Sequence, residues 1–360
     1  MNLLAKVFLG AALLLIPLTL VLERVGGVPQ TWLFFLAAGA IVPLAALLVQ
    51  ATEHLAGYTG DTIGGLLNAT FGNAPELIIA LVALKAGLHD MVKAAIIGAI
   101  LANMLLGMGL AFFLGGLRRH VQEFNPVASR NYMTMMLLAV ISLAIPSTFH
   151  NFVTADTLLE EHYLNLAVAL VLLLTYFLSL VFMLRTHPDF FTSVEPPAGP
   201  GAEAGWSLTR AALTLLAASV LVALMSEILV GAVEETAATL GMSQAFIGIV
   251  ILAVVGGAAE SSAAVVMGVK DRVDLSVSIA IGSSIQMALF VAPVLLLASY
   301  AVAPRPLDLV FDRGLLGAIL LTVLISAMVA GDGKANWFKG VQLITVYLIL
   351  AVMFYFLPGS

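Results

Sequence analysis

The chain has 360 residues, of which 61% are hydrophobic and only 10% are charged, and its mean hydropathy is +1.10. Because most of a globular surface must meet water, this composition excludes a soluble domain and predicts an integral membrane protein. The net charge of −6 is modest and the basic residues form no patch, which gives nucleic-acid binding no support. The absence of cysteine excludes disulfides and thiolate metal sites.

Eleven apolar segments are long enough, at about 20 residues, to cross a bilayer as helices. They span roughly residues 3–22, 31–55, 61–87, 89–117, 131–148, 161–185, 208–231, 242–269, 272–301, 312–331 and 338–357. Each is a continuous apolar run without β-barrel alternation, so the predicted fold class is an all-α polytopic membrane protein. Residues 1–30 are interpreted as a retained first helix with its loop. The Pro- and Gly-rich interval 187–207 is typical of a flexible linker.

Lysine and arginine are unequally distributed between the two sides of this arrangement. If the N-terminus is inside, the cytoplasmic side holds ten of the 15 basic residues, namely Lys6, Arg118, Arg119, Arg130, Arg185, Arg210, Lys270, Arg272, Lys334 and Lys339. The outer side holds the remaining five, Arg24, Lys85, Lys93, Arg305 and Arg313. Because cytoplasmic loops carry the excess of basic residues, the N-terminus is predicted to be cytoplasmic and the C-terminus to be outside.

The two halves of the chain repeat at an offset of 184 residues. The related pairs are Gly64 and Gly248, Gly72 and Gly256, Ala74 and Ala258, Glu76 and Glu260, Asp90 and Asp274, and Gly98 and Gly282. The offset spans five helices, an odd number, so the second copy is inserted upside down. We therefore predict one N-terminal helix plus two inverted-topology repeats of five helices, over 31–186 and 208–360. This arrangement is typical of secondary transporters that bind substrate at the midplane.

One carboxylate lies near the middle of a predicted span in each repeat. A lone charge at that depth costs at least about 2.5–3.5 kcal/mol, so Glu76 and Glu260 need a function or a partner. Pro75 lacks an N–H and disfavours helix at the preceding residue, which predicts a helix break just before Glu76. Glycines precede both carboxylates, at Gly72 in the first repeat and at Gly256 and Gly257 in the second.

Charge balance predicts what such a pair would bind. Two facing carboxylates repel, so the site is expected to hold either one or two protons or a divalent cation, which is the logic of metal–proton exchange. The nearby polar side chains are all oxygen donors, namely Asn73, Asn103, Ser283, Ser284 and Gln286. Such ligands suit Ca²⁺, with Mn²⁺ as the alternative cation.

Simpler interpretations of these residues stay open at this point. Either Glu alone could cap a broken helix, and Asn103 could only hydrogen-bond between helices. Ser283 and Ser284 could bond back to carbonyls of their own helix. The sequence has no phosphate loop of the GxxxxGK[ST] type, so we expect no nucleotide to power the protein.

The motifs "GNAPELIIALVALKAG", beginning at Gly72, and "GGAAESSAAVVMGVKDRVDLSVSIAIGSSIQMALF", beginning at Gly256, resemble the two alpha repeats of the Ca²⁺/H⁺ exchanger (CAX) family, within the calcium:cation antiporter superfamily. The resemblance covers nearly the whole chain, with alpha motifs at 72–114 and 256–297. It implies an 11-helix fold and a central cation site shared by Glu76 and Glu260. It also implies that Asn73, Asn103, Ser283 and Gln286 line that site.

The chain departs from the family pattern at three positions. The second repeat usually contains an Asn and a His where this chain has Gly257 and Ser261, and Ala99 replaces a frequent Ser. The site has thus lost one amide, one imidazole and one hydroxyl, which bears on the choice between Ca²⁺ and Mn²⁺. The Glu pair is unaffected.

The function that follows is export of cytosolic Ca²⁺ in exchange for protons, by alternating access, in the plasma membrane of a prokaryote. The partners are then Ca²⁺, H⁺ and the lipid bilayer, with no resident cofactor and no enzymatic reaction, and an oligomeric assembly is left open. The nearest alternative is a Na⁺/Ca²⁺ exchanger of the same superfamily. A cation channel is disfavoured because a deep carboxylate pair is not a set of weak, multiple sites.

Overall fold

The computed structural model describes residues 10, 13–59, 67, 70–154, 157–187 and 206–357. Most of the predicted first span, 3–22, lies outside these residues. So do the beginning of the third span, 61–87, and most of the predicted linker, 187–207.

Helices make up most of the described chain, as the apolar runs predict. Their bounds are α1 Leu15–Val25, α2 Gln30–Ala56, α3 Ala74–Lys85, α4 His89–Gly116, α5 Pro126–His150, α6 Leu158–Thr186, α7 Leu208–Gly231, α8 Val233–Leu240, α9 Gln244–Gly256, α10 Ala258–Val269, α11 Val273–Val302, α12 Arg313–Ala330 and α13 Trp337–Phe356. Among the described residues, eight helices are long and apolar enough to cross a membrane. A ninth span results if α8 and α9, which meet at 111°, are counted together.

These eight helices coincide with eight of the eleven predicted segments, and the remaining three require comment. The first segment is only partly described, as α1, and the third is described mainly as α3. The segment predicted as one helix over 242–269 is divided at Gly257 into α9 and α10. The membrane-protein class is therefore supported by the described helices, whereas the count of eleven spans is not reached within them.

Three local features differ from the sequence-based prediction. Helix α5 begins at Pro126 and not near 131, because the side chain of Asn125 caps it by accepting from the backbone N–H groups of Val127 and Ala128. Helix α8 lies in the interval between the predicted segments 208–231 and 242–269. The fold is also not purely helical, since strands β1 (Gln122–Glu123) and β2 (Lys334–Ala335) pair antiparallel.

Helices α4 and α11 lie at the centre of the bundle and α6 lies at its edge. The buried share of the membrane-length window is 83% for α4 and 61% for α11, against 17% for α6. Helix α4 packs against α9 along their backbones, because a Cβ atom added at Gly98 would lie 2.5 Å from Cα of Ile249. A Cβ atom at Gly248 would lie 2.6 Å from the carbonyl oxygen of Met91. Small residues permit this close approach of membrane helices.

The α10–α11 turn and the α3–α4 turn each contact a loop from the other half of the chain. At one end, Arg119 forms an ion pair with Asp271 in the α10–α11 turn, with Nε and Oδ2 2.9 Å apart. At the other end, the ring Nε2 of His89, at the start of α4, lies at hydrogen-bond distance, 2.9 Å, from the carbonyl oxygen of Arg305. These contacts fix the central helices relative to one another, and with them the polar residues between the helices.

Candidate functional site

Two helix breaks deliver the two carboxylates to the centre of the bundle. Helix α3 starts at Ala74 after a turn at Asn73 (φ −96°, ψ 24°), and Pro75 occupies its first turn without needing an N–H partner. Helix α10 likewise starts directly after Gly257 (φ −81°, ψ 14°). Glu76 and Glu260 therefore each occupy the first turn of a helix, where free N–H groups and the helix dipole favour negative charge.

The carboxylate groups of Glu76 and Glu260 are both buried, each at the start of its helix. All four of their oxygens are inaccessible to solvent and accept no hydrogen bond from another described residue. Gly256 leaves space for the Glu76 side chain, because a Cβ atom there would lie 3.0 Å from Cγ of Glu76. An unpartnered carboxylate pair in a protein interior is costly, and such groups occur where a ligand or proton is exchanged.

A continuous hydrogen-bonded chain of polar side chains connects the two halves of the protein beside this pair. Asn103 Nδ2 donates to Ser283 Oγ at 3.1 Å, and Ser283 Oγ donates to Asn73 Oδ1 at 3.1 Å. Asn73 Nδ2 in turn donates to Gln286 Oε1. At the other end, Ser261 Oγ donates to Asn103 Oδ1 at 3.3 Å. All four hydrogen bonds of this series run in the same direction, from the first donor, Ser261 on α10, to the last acceptor, Gln286 on α11.

The structure thus brings together four of the five oxygen-donor side chains that the sequence singled out, namely Asn73, Asn103, Ser283 and Gln286. Asn73, Asn103 and Ser283 are almost fully buried, and Gln286 is half-buried. Ser284 does not join them, because its hydroxyl donates to the carbonyl oxygen of Ala280 in its own helix at 2.8 Å. The simpler interpretation of a serine bonded to its own helix therefore holds for Ser284 but not for Ser283.

Gly257 faces the polar chain and one of the carboxylates. A Cβ atom added there would lie 3.4 Å from Oδ1 of Asn103 and 3.7 Å from Oε1 of Glu76. Gly72 lies in the turn before α3, next to Asn73. Gly257 therefore lies within side-chain reach of both an amide oxygen and a carboxylate oxygen.

Sequence reasoning missed two features of this site. From the sequence, Ser261 was noted only because it stands where the family usually has a histidine, although its hydroxyl extends the series of hydrogen bonds. Asn103 lies in a wide π-helical turn, Ala102–Gly107, and a second such turn, Met287–Val291, directly follows Gln286. Turns of this kind are frequent at functional sites, but residue type and spacing give no signal for them.

Two cavities adjoin these helices in different ways. A small one of about 20 Å³ lies beside Glu76 and is otherwise lined by apolar side chains of α3, α4, α9 and α11. It has room for about one water molecule. A larger cavity of about 680 Å³ opens between α5, α6 and the loop before α12, and neither carboxylate lines it. The carboxylate site is therefore enclosed in this conformation of the protein.

The fold and the site together define a class of protein. It is a polytopic helical membrane protein with a buried polar site, in which two broken helices each contribute a carboxylate. That combination is typical of secondary transporters.

Comparison with known proteins identifies the family. The sequence pattern of the sodium/calcium exchanger protein family matches the chain twice, over residues 29–185 and 210–356. A Ca²⁺/H⁺ antiporter of Synechocystis sp. is 41% identical over 370 residues, which cover 98% of each chain. The Ca²⁺/H⁺ antiporter ChaA of Bacillus subtilis is 39% identical over 335 residues, 91% of this chain and 93% of that protein. The crystal structure of the Ca²⁺/H⁺ antiporter protein YfkE superimposes with a TM-score of 0.82 at 34% identity, covering 99% of this chain and 100% of that chain.

The chain therefore belongs to the sodium/calcium exchanger protein family, and within it to the Ca²⁺/H⁺ exchanger (CAX) branch.

Proposed function

We propose that this protein is a secondary active antiporter that exchanges cytosolic Ca²⁺ for external protons. The observation that carries the proposal is the set of four buried carboxylate oxygens, on Glu76 and Glu260, that accept no hydrogen bond from another described residue. Such a pair must be neutralised in a low-dielectric interior, by protons or by a divalent cation. The names of the three relatives support Ca²⁺ and H⁺ as the exchanged ions.

The two carboxylates supply the charge that a cation requires, and the amide and hydroxyl oxygens complete its coordination. Ca²⁺ takes roughly six to eight oxygen ligands, more than two carboxylates provide. We assign the further oxygens to Asn73, Asn103, Ser283 and Gln286, which are already hydrogen-bonded to one another beside the pair. Mn²⁺, which also accepts oxygen ligands, is the alternative cation.

We further propose that residues 31–186 and 208–360 are inverted-topology repeats of five helices, preceded by one N-terminal helix, for eleven spans in all. Three observations support this. Gly87 and Asp271, at positions 184 apart, both adopt positive φ, of 81° and 67°. The π-helical turn over Ala102–Gly107 has its counterpart over Met287–Val291. The family pattern matches each half of the chain separately.

Transport then follows an alternating-access cycle in which α2 and α7, with the helices next to them, move past the central core. The N-terminus is assigned to the cytoplasm and the C-terminus to the outside of a prokaryotic plasma membrane. The loop after α4, which contains Arg119 and β1, contacts the α10–α11 turn at Asp271 and pairs with β2 before α13. These three segments therefore share one side of the membrane, and the distribution of basic residues supports the cytoplasmic side. We propose no enzymatic reaction for this site.

The experiment that tests the proposal is transport in proteoliposomes with an imposed pH gradient. Internal pH is recorded while Ca²⁺, Mn²⁺ or Mg²⁺ is added outside, and the expected result is that Ca²⁺ uptake collapses the gradient. Dependence of Ca²⁺ uptake on a sodium gradient at fixed pH would instead indicate a Na⁺/Ca²⁺ exchanger. Ion currents far above turnover rates would indicate a channel, and either result would refute Ca²⁺/H⁺ exchange.

Adding an amide at Gly257 is expected to change the choice of cation. The backbone there accepts a side chain (φ −81°), and the Cβ atom of Gly257→Asn would lie 3.4 Å from Oδ1 of Asn103 and 3.7 Å from Oε1 of Glu76. A further oxygen beside the carboxylates favours the larger, more highly coordinated ion. We therefore expect the preference for Ca²⁺ over Mn²⁺ to rise several-fold, as measured by competition for uptake in proteoliposomes.

The matched control is Gly231→Asn, at the end of α7, where no described atom lies within 4 Å of the Cβ position. It is expected to leave the preference unchanged. If Gly257→Asn transports with the same Ca²⁺ to Mn²⁺ ratio as the unmodified protein, position 257 does not face the bound ion.

A further inference from the structure

We propose that Ser261 is a positioning residue for cation binding, which acts by holding the side-chain amide of Asn103 in one of its two orientations. The proposal rests on the function proposed above, since it concerns the same site. Its starting point is the contact between the Ser261 hydroxyl and Oδ1 of Asn103, 3.3 Å long, which joins α10 to the π-helical turn of α4.

The hydrogen-bonding chemistry of the two neighbours of Asn103 determines its orientation. Ser261 donates to the amide oxygen, and the amide nitrogen donates to Ser283 Oγ at 3.1 Å. The Ser283 hydroxyl proton is already committed to Asn73 Oδ1, so Ser283 must accept from Asn103. A hydroxyl supplies only one proton, and Ser261, the first donor of the series, gives its proton to Oδ1 of Asn103 and so favours the orientation in which that oxygen is on the Ser261 side.

This orientation decides which atom of Asn103 faces the carboxylates. Because residue 257 is glycine, there is a space where a side chain would otherwise begin. Its Cβ position lies 3.4 Å from Oδ1 of Asn103 and 3.7 Å from Oε1 of Glu76. With Ser261 as donor, an oxygen faces that space and can join Glu76 on a cation. If the amide were turned by 180°, its NH₂ group would face the same space and repel the ion.

On the facing helix, α4, Gly107 leaves room for the Ser261 hydroxyl. A Cβ atom added at Gly107 would lie 3.0 Å from Oγ of Ser261 and 3.4 Å from its Cβ. That separation is tighter than normal packing, so an alanine at 107 would push the hydroxyl aside by a few tenths of an ångström and lengthen its 3.3 Å bond to Asn103. The same contact can therefore be perturbed from two helices independently, by Ser261→Ala and by Gly107→Ala.

The test compares these two variants with Ser261→Thr, which keeps the hydroxyl, and with Ser284→Ala as matched control. Ser284 is a buried serine on α11 whose hydroxyl donates to the carbonyl oxygen of Ala280 in its own helix. Two quantities are measured on the full chain: Ca²⁺ binding by calorimetry in detergent, and KM and maximal rate of Ca²⁺ uptake in proteoliposomes. Groups that orient a metal ligand typically contribute about 10–100-fold to affinity.

We expect Ser261→Ala and Gly107→Ala to weaken Ca²⁺ binding and raise KM by about 10-fold, with little change in the maximal rate at saturating Ca²⁺. Ser261→Thr is expected to restore KM to near the original value, and Ser284→Ala to leave it unchanged.

Two results would overturn the inference. One is a KM for Ser261→Ala equal to that of Ser284→Ala. The other is a loss of maximal rate and thermal stability at unchanged KM, which would show a purely structural role. Failure of the proposed function gives a different result, in which the unmodified protein binds Ca²⁺ in the calorimeter without moving protons. The effect of Ser261→Ala on binding then still decides the positioning role.

Discussion

Replacing either Glu76 or Glu260 by glutamine is expected to abolish Ca²⁺/H⁺ exchange. Glutamine keeps the size and one oxygen of the side chain but can neither carry the negative charge nor bind and release the proton. The loss should be at least about 100-fold in Ca²⁺ uptake, beyond the effect of losing a group that only supports a ligand. Because each carboxylate belongs to a different half of the chain, both single variants are expected to be inactive.

These variants should remain folded. The four oxygens accept no hydrogen bond from another described residue, so the substitution breaks no such bond and replaces a group that must be neutralised by one that is already neutral. We expect size-exclusion profiles and thermal stability equal to or better than those of the unmodified protein. Uptake is measured in proteoliposomes, with Glu123→Gln as control, an exposed carboxylate 3.8 Å from Lys334. Normal exchange by either Glu76→Gln or Glu260→Gln would show that the carboxylate is not an essential ligand.

The second large effect is expected at the contact between α4 and α9. A methyl group at Gly98 would lie 2.5 Å from Cα of Ile249 and 2.7 Å from its carbonyl carbon, a distance that real Cβ atoms do not adopt. Because the obstacle is backbone, relief requires the two helices to separate, and overpacking of this kind costs about 1–3 kcal/mol or more. Gly98→Ala should therefore lower the thermal unfolding temperature markedly and reduce the yield of monodisperse protein.

A helical glycine without such a contact provides the control. At Gly317, in α12, no described atom lies within 4 Å of the Cβ position, so Gly317→Ala should be neutral or stabilising by about 0.4–1 kcal/mol. Gly248→Ala, on the opposite side of the same contact, should behave like Gly98→Ala because its Cβ would lie 2.6 Å from the Met91 carbonyl oxygen. Equal unfolding temperatures for Gly98→Ala and Gly317→Ala would contradict the close packing of α4 on α9.

The sequence by itself determined the class of the protein and the residues on which its proposed chemistry depends. Apolar runs of membrane length are a strong signal because lipid imposes one solution on the backbone, a helix with internal hydrogen bonds. The combination of glycine, proline and a mid-span carboxylate indicated the break before Glu76, since few other arrangements accommodate a charge and a proline at that depth. Helix ends were less well predicted, as at Pro126, where the side-chain cap by Asn125 decides the boundary.

The tertiary structure alone decided which polar groups meet. Asn73 and Gln286 are separated by 213 residues in the chain, and Asn103 and Ser283 by 180, so their pairing depends on how the two halves pack and not on local spacing. Ser261 is the clearest case. By sequence it is only a serine where the family usually has a histidine, whereas in the fold its hydroxyl fits beside Gly107 and donates to Asn103. Composition and periodicity report how apolar a segment is, but whether two polar groups lie within hydrogen-bond distance depends on a few tenths of an ångström between helices, which only the packed bundle sets.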